Sequence, residues 1–355
     1  MLKFILDRLQ DYNANTFINE LANASKSLGI LEEKINSYQF NEILIPMLHK
    51  KEARSSMYIE GTQTTMSNIF EDEISSKSTN DKIMLEVRNH ISVLDYGAEV
   101  LRSGVFTHSF IKRLHYMMLD GIIAKGKENT LGQYKSVDNR IVNSEGTVVF
   151  LPPSCNETKK YMDELIAFMN DFNDGINPLI KAALIHSQFE SIHPFTDGNG
   201  RIGRLLISLY LYKAKVINFP FFYLSEAISM DKLVYYNILT DSRKNSYDNW
   251  IKYFLQKIIV QTTKHINYIE SLNNLYLRTK KAVQNCINSA NAETIIECLF
   301  TRPILTADYM IERMSISRVQ ALRYLNTLVD INILFANDKK RGRKYYFGEL
   351  IDLAG

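Results

Sequence analysis

The stretch His193-Pro-Phe-Thr-Asp-Gly-Asn-Gly-Arg-Ile-Gly-Arg204 lies between two apolar helical patterns and decides how the chain folds. The first pattern begins after Asn177-Pro178 and continues to Ile192. It ends at His193-Pro194, because a proline disfavours the right-handed helical conformation of the residue before it. The second pattern, from about Gly200 to Lys215, is strongly apolar. The sequence therefore predicts two helices joined by a glycine-containing loop.

This loop has the parts of a phosphate-binding site. Gly198 and Gly200 let the backbone approach an anion closely. The loop opens a helix, so free N–H groups and the positive end of the helix dipole face it. Arg201 and Arg204 are three residues apart on one helix face, and each guanidinium offers forked donors to phosphate oxygens. The spacing is not that of a GxxxxGK[ST] loop.

Two further side chains add chemistry to the loop. Asp197 supplies one carboxylate, which is the usual protein ligand of Mg²⁺ beside nucleotide phosphates. His193, expected in an extended conformation before Pro194, is suited to act as a general base near neutral pH. His186 lies seven residues earlier, which is the wrong spacing for a helical metal pair, so a structural role is predicted for it.

Composition sets the broad class. The chain has 355 residues, 46% apolar and 23% charged, which favours two or three globular domains. A net charge of +3 is too small to argue for nucleic acid by itself. The three cysteines, Cys155, Cys286 and Cys298, have no CxxC spacing, so neither a zinc site nor a disulfide framework is expected and a reducing cytoplasm fits best.

No membrane segment is predicted. The N-terminal apolar run is interrupted by Asp7 and Arg8, which is unlike a signal peptide. The apolar run Leu205–Tyr212 is followed by Lys213 and Lys215 and is too short to cross a bilayer. It is interpreted as a buried helix.

Helical periodicity dominates the rest of the chain. The main exception is Leu131–Ser154, where two β-branched runs flank Asn143-Ser144-Glu145-Gly146 in the pattern of a hairpin. A helical stripe from Asp248 to about Lys281 predicts one helix or two.

The last 65 residues or so have the pattern of a separate unit. Thr306–Met314 and Ser317–Val329 are two short helical patterns joined by a tight turn. Two strand-like runs follow, Ile331–Ala336 and Lys344–Phe347, joined by a basic segment. Together they suggest a winged helix. Its tip, with Lys339, Lys340, Arg341, Arg343 and Lys344, could contact DNA phosphates, although a solvated loop or a protein-binding or dimer-forming module is at least as well supported.

An earlier segment, KKEARSSMYIEG at positions 50–61, places Ser56 and Glu60 four residues apart on one helix face. Gly61 is a natural residue to follow the end of a helix. Taken alone, these are an exposed serine and glutamate at a helix end.

The loop matches the Fic family motif HxFx(D/E)GNGRxxR at every position, and the flanking HSQFESIHPF and LLISLYLY also resemble the Fic core. The resemblance implies a mainly α fold: a Fic helical bundle with a β-hairpin flap, followed here by the small winged-helix domain. It also implies a protein adenylyltransferase that transfers AMP from ATP, with Mg²⁺, to a Ser, Thr or Tyr hydroxyl.

The resemblance further implies roles for the loop residues. His193 is the base, Phe195 a core anchor and Asp197 the Mg²⁺ ligand. The implied nucleotide-binding residues line the anion hole or hold the β- and γ-phosphates: Gly198, Asn199, Gly200, Arg201 and Arg204.

Two other segments resemble parts of Fic proteins. Ser56, Glu60 and Gly61 match the inhibitory motif (S/T)xxxE(G/N), which implies that Glu60 pairs with Arg204 in place of the γ-phosphate. The hairpin resembles the flap that clamps the target by strand addition, with backbone contacts expected at Val142, Val148, Val149 and Phe150. Lys135 stands where the family usually has Arg, which leaves its role open.

Residues after the second helix resemble the continuation of the nucleotide pocket. They are Leu224-Ser225-Glu226 and Tyr235-Tyr236, with Tyr236 expected against adenine. The expected units are an N-terminal helical region at 1–90 with the inhibitory helix at about 40–61, a Fic core at 91–265, a connecting helix at 266–290 and the winged-helix-like unit at 291–355.

The partners follow from this interpretation. They are a protein with a hydroxyl side chain, the chain itself by self-modification, and a second copy in a homodimer. Other functions stay open: removal of AMP, transfer of another phosphate-containing group at the same site, and regulation by DNA binding through the winged helix.

Overall fold

The computed structural model describes residues 12–38, 41–74, 81–142, 145–219, 222–244, 246–287, 291–339 and 341–355. The N-terminal run with Asp7 and Arg8, the turn residues Asn143 and Ser144, and Lys340 lie outside the described residues.

The described residues form a mainly α fold, which confirms the predicted class. Four helices precede the central region: α1 Ile18–Ser37, α2 Asn41–Ile59, α3 Met66–Glu73 and α4 Lys82–Ser103. Seven helices follow: α5 His108–Leu119, α6 Cys155–Asn170, α7 Pro178–Ile192, α8 Asn199–Lys213, α9 Ser225–Ser229, α10 Lys232–Asp241 and α11 Asp248–Cys286. The last four are α12 Ala292–Thr301, α13 Ala307–Met314, α14 Arg318–Asp330 and α15 Gly348–Ala354. Short 3-10 helices occupy Ala14–Thr16 and Glu128–Thr130.

The strands form two small antiparallel sheets. The hairpin consists of β1 Ile141–Val142 and β2 Val148–Phe150. Its pairs are Ile141 with Phe150 and Val142 with Val148, with an irregularity between them. The second sheet has β3 Ile304–Leu305, β4 Phe335–Ala336 and β5 Tyr345–Tyr346 in the order β3-β5-β4.

The helix α7 lies at the centre of the protein. Asn177 caps it by accepting the N–H of Leu179, and Pro178 occupies its first position, where a missing N–H is harmless. Every residue from Leu179 to Ile192 is buried. A helix that is buried on all sides is packed on all sides, and α7 packs against α6, α8 and α11. The packing of α7 therefore holds the first residue of the loop in a fixed position.

The helix α11 is one continuous helix of 39 residues. No proline or glycine interrupts the segment, so its stripe of apolar residues stays in register and α1 packs along it. The boundary expected at residues 265 and 266 lies inside this helix and is marked by no break in secondary structure.

The C-terminal residues pack against the N-terminal helices. Thr306 caps α13, and Ser317 with Gln320 forms a capping box at the start of α14. Tyr346 Oη donates to Glu71 Oε1 of α3 at 2.8 Å, and Lys344 forms an ion pair with the same carboxylate. The β4–β5 pair is therefore tied to the segment that follows α2.

Among the described helices, none combines the length and the hydropathy that a bilayer span requires.

The central packing can be tested by comparing two leucine truncations. Leu206 on α8 is fully buried, whereas Leu277 on α11 is 55% exposed. Leu206→Ala is expected to lower the free energy of unfolding by about 2–5 kcal/mol, because it leaves a cavity. Leu277→Ala should change it by less than about 0.5 kcal/mol. Urea unfolding measures both, and equal losses would contradict this packing.

Candidate active site

The loop begins at His193, whose backbone is left-handed at φ 47° and ψ 62°. The prediction of an extended conformation was wrong. Pro194 disfavours the right-handed helical region and favours extended backbone, but here the end of α7, which favours a left-handed residue, decides the conformation. In this conformation the His193 N–H donates to the Phe189 carbonyl at 2.9 Å and completes the last turn of α7. The end of α7 thus fixes the backbone position from which the His193 side chain extends.

Phe195 anchors the loop in the core. It is fully buried, and its ring stacks on His115 with the centroids 3.9 Å apart and the planes at 9°. The side chain of Asn199 brackets the Phe195 backbone. Its Oδ1 accepts the Phe195 N–H at 2.9 Å, and its Nδ2 donates to the Phe195 carbonyl at 2.8 Å. Both polar atoms of the Asn199 side chain therefore hold the loop, so an anion could be bound only by the main chain of Asn199.

His115 is a loop support that the sequence interpretation missed. The Gly132 N–H donates to His115 Nδ1 at 3.0 Å, so the ring proton is on Nε2 and is donated to the Asp197 carbonyl at 3.0 Å. Burial lowers the pKa of His115 to about 4, so the ring is neutral at pH 7. No motif in the sequence points to His115, which lies about 80 residues before the loop.

A second support joins the start of the hairpin segment to the loop. Lys135 is buried, and its Nζ donates to the Ile192 carbonyl at 3.1 Å and to Asn139 Oδ1 at 2.8 Å. Asn139 Nδ2 in turn donates to the carbonyls of His193 and Phe195 at 3.0 and 3.1 Å. Burial lowers the pKa of Lys135 to about 8. Lys135 therefore binds a carbonyl at the carboxyl end of α7, where the helix dipole favours a cation. Asn139 was not singled out from the sequence.

Asp197 and Arg201 lie on the outer side of the loop. Asp197 Oδ1 accepts the Gly198 N–H at 2.6 Å and an Arg201 Nη2 proton at 3.3 Å, and its side chain is 64% exposed. Arg201 is buried and also pairs with Glu86 on α4 at 2.5 Å. The expected phosphate ligand Arg201 is thus held by two carboxylates.

Arg204 meets the residues singled out near position 60. Its Nη2 donates to Glu60 Oε1 at 2.6 Å and to the Ser56 carbonyl at 3.1 Å, and its Nε donates to Ser56 Oγ at 3.1 Å. Burial opposes the charge and is the largest single effect, but the Glu60 carboxylate, together with Tyr235 and Tyr236, outweighs it, so the pKa of Arg204 is raised. Two segments 144 residues apart in sequence therefore share one guanidinium.

Gly200 makes room for this pair. A Cβ built on Gly200 would lie 2.5 Å from Glu60 Oε1 and 3.0 Å from Arg204 Nη1. The Glu60 carboxylate therefore lies against the first turn of α8, where N–H groups and the helix dipole favour an anion. A side chain at position 200 would have to displace it.

A cavity of about 620 Å³ opens over this pair. Its lining includes the following residues from the predicted site: Glu60, Gly61, Val142, Val149, His193, Gly200, Arg204 and Tyr236. The other predicted residues lie around it without lining it: Ser56, Asp197, Gly198, Asn199, Arg201, Val148 and Phe150.

Tyr235 and Tyr236 have different environments. Tyr236 lines the cavity, is 41% exposed and donates to the Ile59 carbonyl at 3.5 Å. Tyr235 lines the cavity's floor but is almost wholly buried, and its hydroxyl bonds His186 Nε2 at 2.8 Å. His186 also stacks on Trp250. Its contacts are those of a core residue, which agrees with the predicted structural role.

The expectation that Leu224-Ser225-Glu226 continue the pocket was wrong. Leu224 and Ser225 are buried, and Ser225 Oγ donates to Glu52 on α2 at 2.5 Å. Glu226 pairs with Lys264 on α11. The segment is used to pack α9 between α2 and α11, so it is turned away from the cavity.

The electrostatics around His193 favour its neutral form. Burial lowers the pKa of His193 to about 4, and the cations Arg243 and Lys135 lower it further. Arg243 lines the cavity, donates to Ser191 Oγ at 3.2 Å and lies over the Phe150 ring of β2 at 4.5 Å. Arg243 thus links the hairpin to the end of α7. Neither Arg243 nor Glu190, which also lines the cavity, was singled out as a site residue from the sequence.

Two family models match this chain. The model of the Fic/DOC family matches residues 105–211, and the model of the Fic/DOC family N-terminal region matches residues 18–99. The first match contains the loop His193–Arg204, and the second contains Ser56 and Glu60. The chain belongs to the Fic/DOC family.

Curated relatives match over short stretches. The protein adenylyltransferase fic-1 of Caenorhabditis elegans is 35% identical over 66 residues, which are 18% of this chain and 13% of that protein. A probable protein adenylyltransferase of Aquifex aeolicus is 44% identical over 46 residues, which are 13% of this chain and 14% of that protein.

Solved structures share the fold over much more of the chain. A Fic family protein from Desulfovibrio desulfuricans G20 has a TM-score of 0.61 at 18% identity and covers 95% of this chain and 97% of its own. A Fic domain containing signaling protein from Bacteroides thetaiotaomicron has a TM-score of 0.54 at 25% identity, over 69% and 97%.

The buried neutral state of His115 predicts a pH dependence of stability. Its pKa is about 4 in the folded protein against 6.5 for the free side chain, so the unfolded chain binds more protons between these values. Its contribution is present above about pH 6.5 and is lost as the pH falls towards 4, by at most about 3 kcal/mol. In His115→Gln, the loss of stability between pH 7 and pH 5, measured by urea unfolding, should be smaller. An unchanged loss would contradict this placement.

Proposed function

We propose that this Fic/DOC protein is a protein adenylyltransferase that moves AMP from ATP to a Ser, Thr or Tyr hydroxyl of a target protein or of itself. One observation carries the proposal. A single cavity brings together the neutral imidazole of His193, the first turn of α8 at Gly200 and the guanidinium of Arg204. A base, an anion-binding helix end and a forked cation are the groups that transfer from a nucleotide requires.

The reaction follows from these groups. His193 accepts the proton of the target hydroxyl, and the oxygen attacks the α-phosphorus of ATP. The bond from the α-phosphorus to the bridging oxygen breaks, and pyrophosphate leaves with that electron pair. Little covalent chemistry is asked of the protein, because positioning and charge stabilisation dominate such transfers. The N–H groups of the first α8 turn and Arg204 meet the phosphate charge.

Asp197 is the proposed Mg²⁺ ligand. Its carboxylate is well exposed beside the loop, whereas the described residues contain no cluster of three or more metal-ligating side chains. This fits a Mg²⁺ ion that takes most of its ligands from phosphate and water. When bound, the ion would neutralise charge on the phosphates.

Glu60 is the proposed inhibitor. Its carboxylate holds Arg204 and occupies the anion position at Gly200. The terminal phosphate of ATP would need the same donors, so the protein with Glu60 in place would bind ATP in an unproductive position. The resting enzyme is therefore mostly off, and any trigger must withdraw Glu60.

Tyr236 and the hairpin are assigned to the two substrates. The exposed ring of Tyr236 at the cavity mouth would stack on adenine. Val142 and Val149 of the hairpin line the same mouth, where Val142 is half exposed. An extended target segment could add to this hairpin through main-chain hydrogen bonds, which tolerate many target sequences.

The C-terminal unit is proposed to be a winged-helix-like module that acts within the protein. Of its basic tip, Lys344 pairs with Glu71, and Arg343 donates to the Asn337 carbonyl at 3.3 Å and lies over the Tyr345 ring. These internal partners reduce the charge that is free for DNA phosphates. DNA binding stays the second candidate for this unit.

Transfer of label from ATP tests the proposed function. Wild type, Glu60→Gly and Glu60→Gly/His193→Ala are incubated with α-labelled or γ-labelled ATP, and protein-bound label is counted. Glu60→Gly should incorporate α-label on the order of 10- to 100-fold faster than wild type, since a charged hydrogen-bonded pair is worth roughly 1.5–3 kcal/mol. The double variant should lose this activity while still binding ATP.

The controls separate the alternatives. Glu60→Gln keeps the shape but weakens the pair, so its rate should lie between those of wild type and Glu60→Gly. Protein-bound γ-label would indicate a kinase instead. Full activity in the His193→Ala double variant would refute the assignment of the base.

A further inference from the structure

Two neighbouring side chains at the cavity, His193 and Glu190, each have a buried polar atom that makes no hydrogen bond. Among the described residues these atoms are His193 Nδ1 and Glu190 Oε1, although the backbone carbonyl of Glu190 also lies close enough to the imidazole to raise its pKa. The other oxygen of the same carboxylate, Glu190 Oε2, lies 3.9 Å from His193 Nδ1. Buried polar groups are normally satisfied, so an orphaned pair at this separation requires an explanation.

The position of Glu190 is built into the fold. Glu190 lies in the last turn of α7, three residues before the left-handed His193, and its carboxylate lies beside the imidazole. The carboxylate rests against α8 at Gly203, where a Cβ would lie 2.3 Å from Glu190 Oε1. Glycine at position 203 thus makes space for a carboxylate, which lines the cavity with its side chain only 8% exposed.

We propose that Glu190 is a positioning residue that accepts the Nδ1 proton of His193 and so presents Nε2 as the base toward the target hydroxyl. This rests on the proposed function. Hydrogen bonds of catalytic groups are often long without substrate and shorten in the productive complex. A small rotation of the two side chains would close the gap. When Nε2 takes up the hydroxyl proton, the ring becomes a cation with the Glu190 carboxylate beside it.

The charges around Glu190 determine when it can act. Burial raises the pKa of Glu190 to about 7, Arg204 and Arg243 lower it, and Glu60 raises it. His193 and the Tyr235 hydroxyl are the other titratable groups that face it. Ionised Glu190 accepts the Nδ1 proton, whereas protonated Glu190 would compete as a donor. Withdrawal of Glu60 therefore favours both ATP binding at Arg204 and the useful state of the base.

The first test reads the imidazole directly and needs no enzymatic activity. The full chain with Glu60→Gly is labelled with ¹⁵N-histidine, and long-range ¹H–¹⁵N spectra at pH 8 report which ring nitrogen carries the proton. The His193 signals are identified by their loss in Glu60→Gly/His193→Ala. The parent should show Nδ1–H. Adding Glu190→Gln should keep it, because the amide oxygen still accepts, whereas adding Glu190→Leu should shift the proton to Nε2 or to a mixture.

The second test uses kinetics in the same Glu60→Gly background. Glu190→Gln should lower kcat about 10-fold and Glu190→Leu about 100-fold, within the range that a positioned base supplies. KM for ATP should change less than two-fold. In the parent, kcat should rise with pH as Glu190 ionises, and this rise should be missing in Glu190→Gln. Glu52→Gln is the matched control: Glu52 is also buried near Arg204, with its pKa raised to about 8 by burial, but it bonds Ser225 and not His193.

The outcomes are separable. An Nδ1–H tautomer that survives Glu190→Leu, with kcat within two-fold of the parent, would overturn the proposal. A rise in KM for ATP with unchanged kcat would overturn it as well, because Glu190 would then be a nucleotide contact. If Glu60→Gly itself transfers no AMP, the proposed function fails, but the tautomer measurement still decides whether Glu190 positions His193.

Discussion

The guanidinium of Arg204 is buried at the first turn of α8 and carries a charge that must have an anionic partner. A buried charge left without a partner costs several kcal/mol, so Arg204 constrains everything around it. In this structure the partner is Glu60, which directly follows α2 and lies 144 residues earlier in the sequence. In the proposed reaction it is the terminal phosphate of ATP. One guanidinium cannot bind Glu60 and the terminal phosphate in the same place, so the inhibitory carboxylate and the substrate compete for one site.

The loop before Arg204 works only because other elements hold it rigidly. His115 stacks on the Phe195 ring and donates to the Asp197 carbonyl. Asn139 donates to the carbonyls of His193 and Phe195. These supports use the carbonyl groups of the loop, which leaves N–H groups at the helix start for an anion. A left-handed His193 costs conformational energy for a residue with a Cβ, and the bonds made by its neighbours keep it there.

Much of the site could be predicted from the sequence because its parts are contiguous. His193, Gly198, Gly200 and Arg204 lie within one loop and the helix it opens, so spacing alone brings them together. The helix ends were also predictable, since Asn177-Pro178 and His193-Pro194 act through local sterics and capping. The pair of Glu60 with Arg204 was expected only from resemblance to the Fic family, because no local pattern joins residues so far apart.

The residues that support the loop could not be predicted from local sequence patterns. His115, Asn139 and Glu190 act through contacts that depend on how helices pack, and each looks like an ordinary surface or core residue in sequence. The left-handed His193 was missed because the end of α7 overrides the extended conformation that the following proline favours. Leu224–Glu226 followed the family pattern in sequence, but burial of α9 between α2 and α11 directs them elsewhere.

The most direct test of this account is a pair of crystal structures, wild type and Glu60→Gly, each with Mg²⁺ and a non-hydrolysable ATP analogue. In Glu60→Gly, Arg204 is expected to bind the terminal phosphate. In the wild type, Arg204 is expected to stay bonded to Glu60, with the terminal phosphate elsewhere. A wild-type complex in which Arg204 holds the terminal phosphate while still bonded to Glu60 would contradict the claim that the two compete.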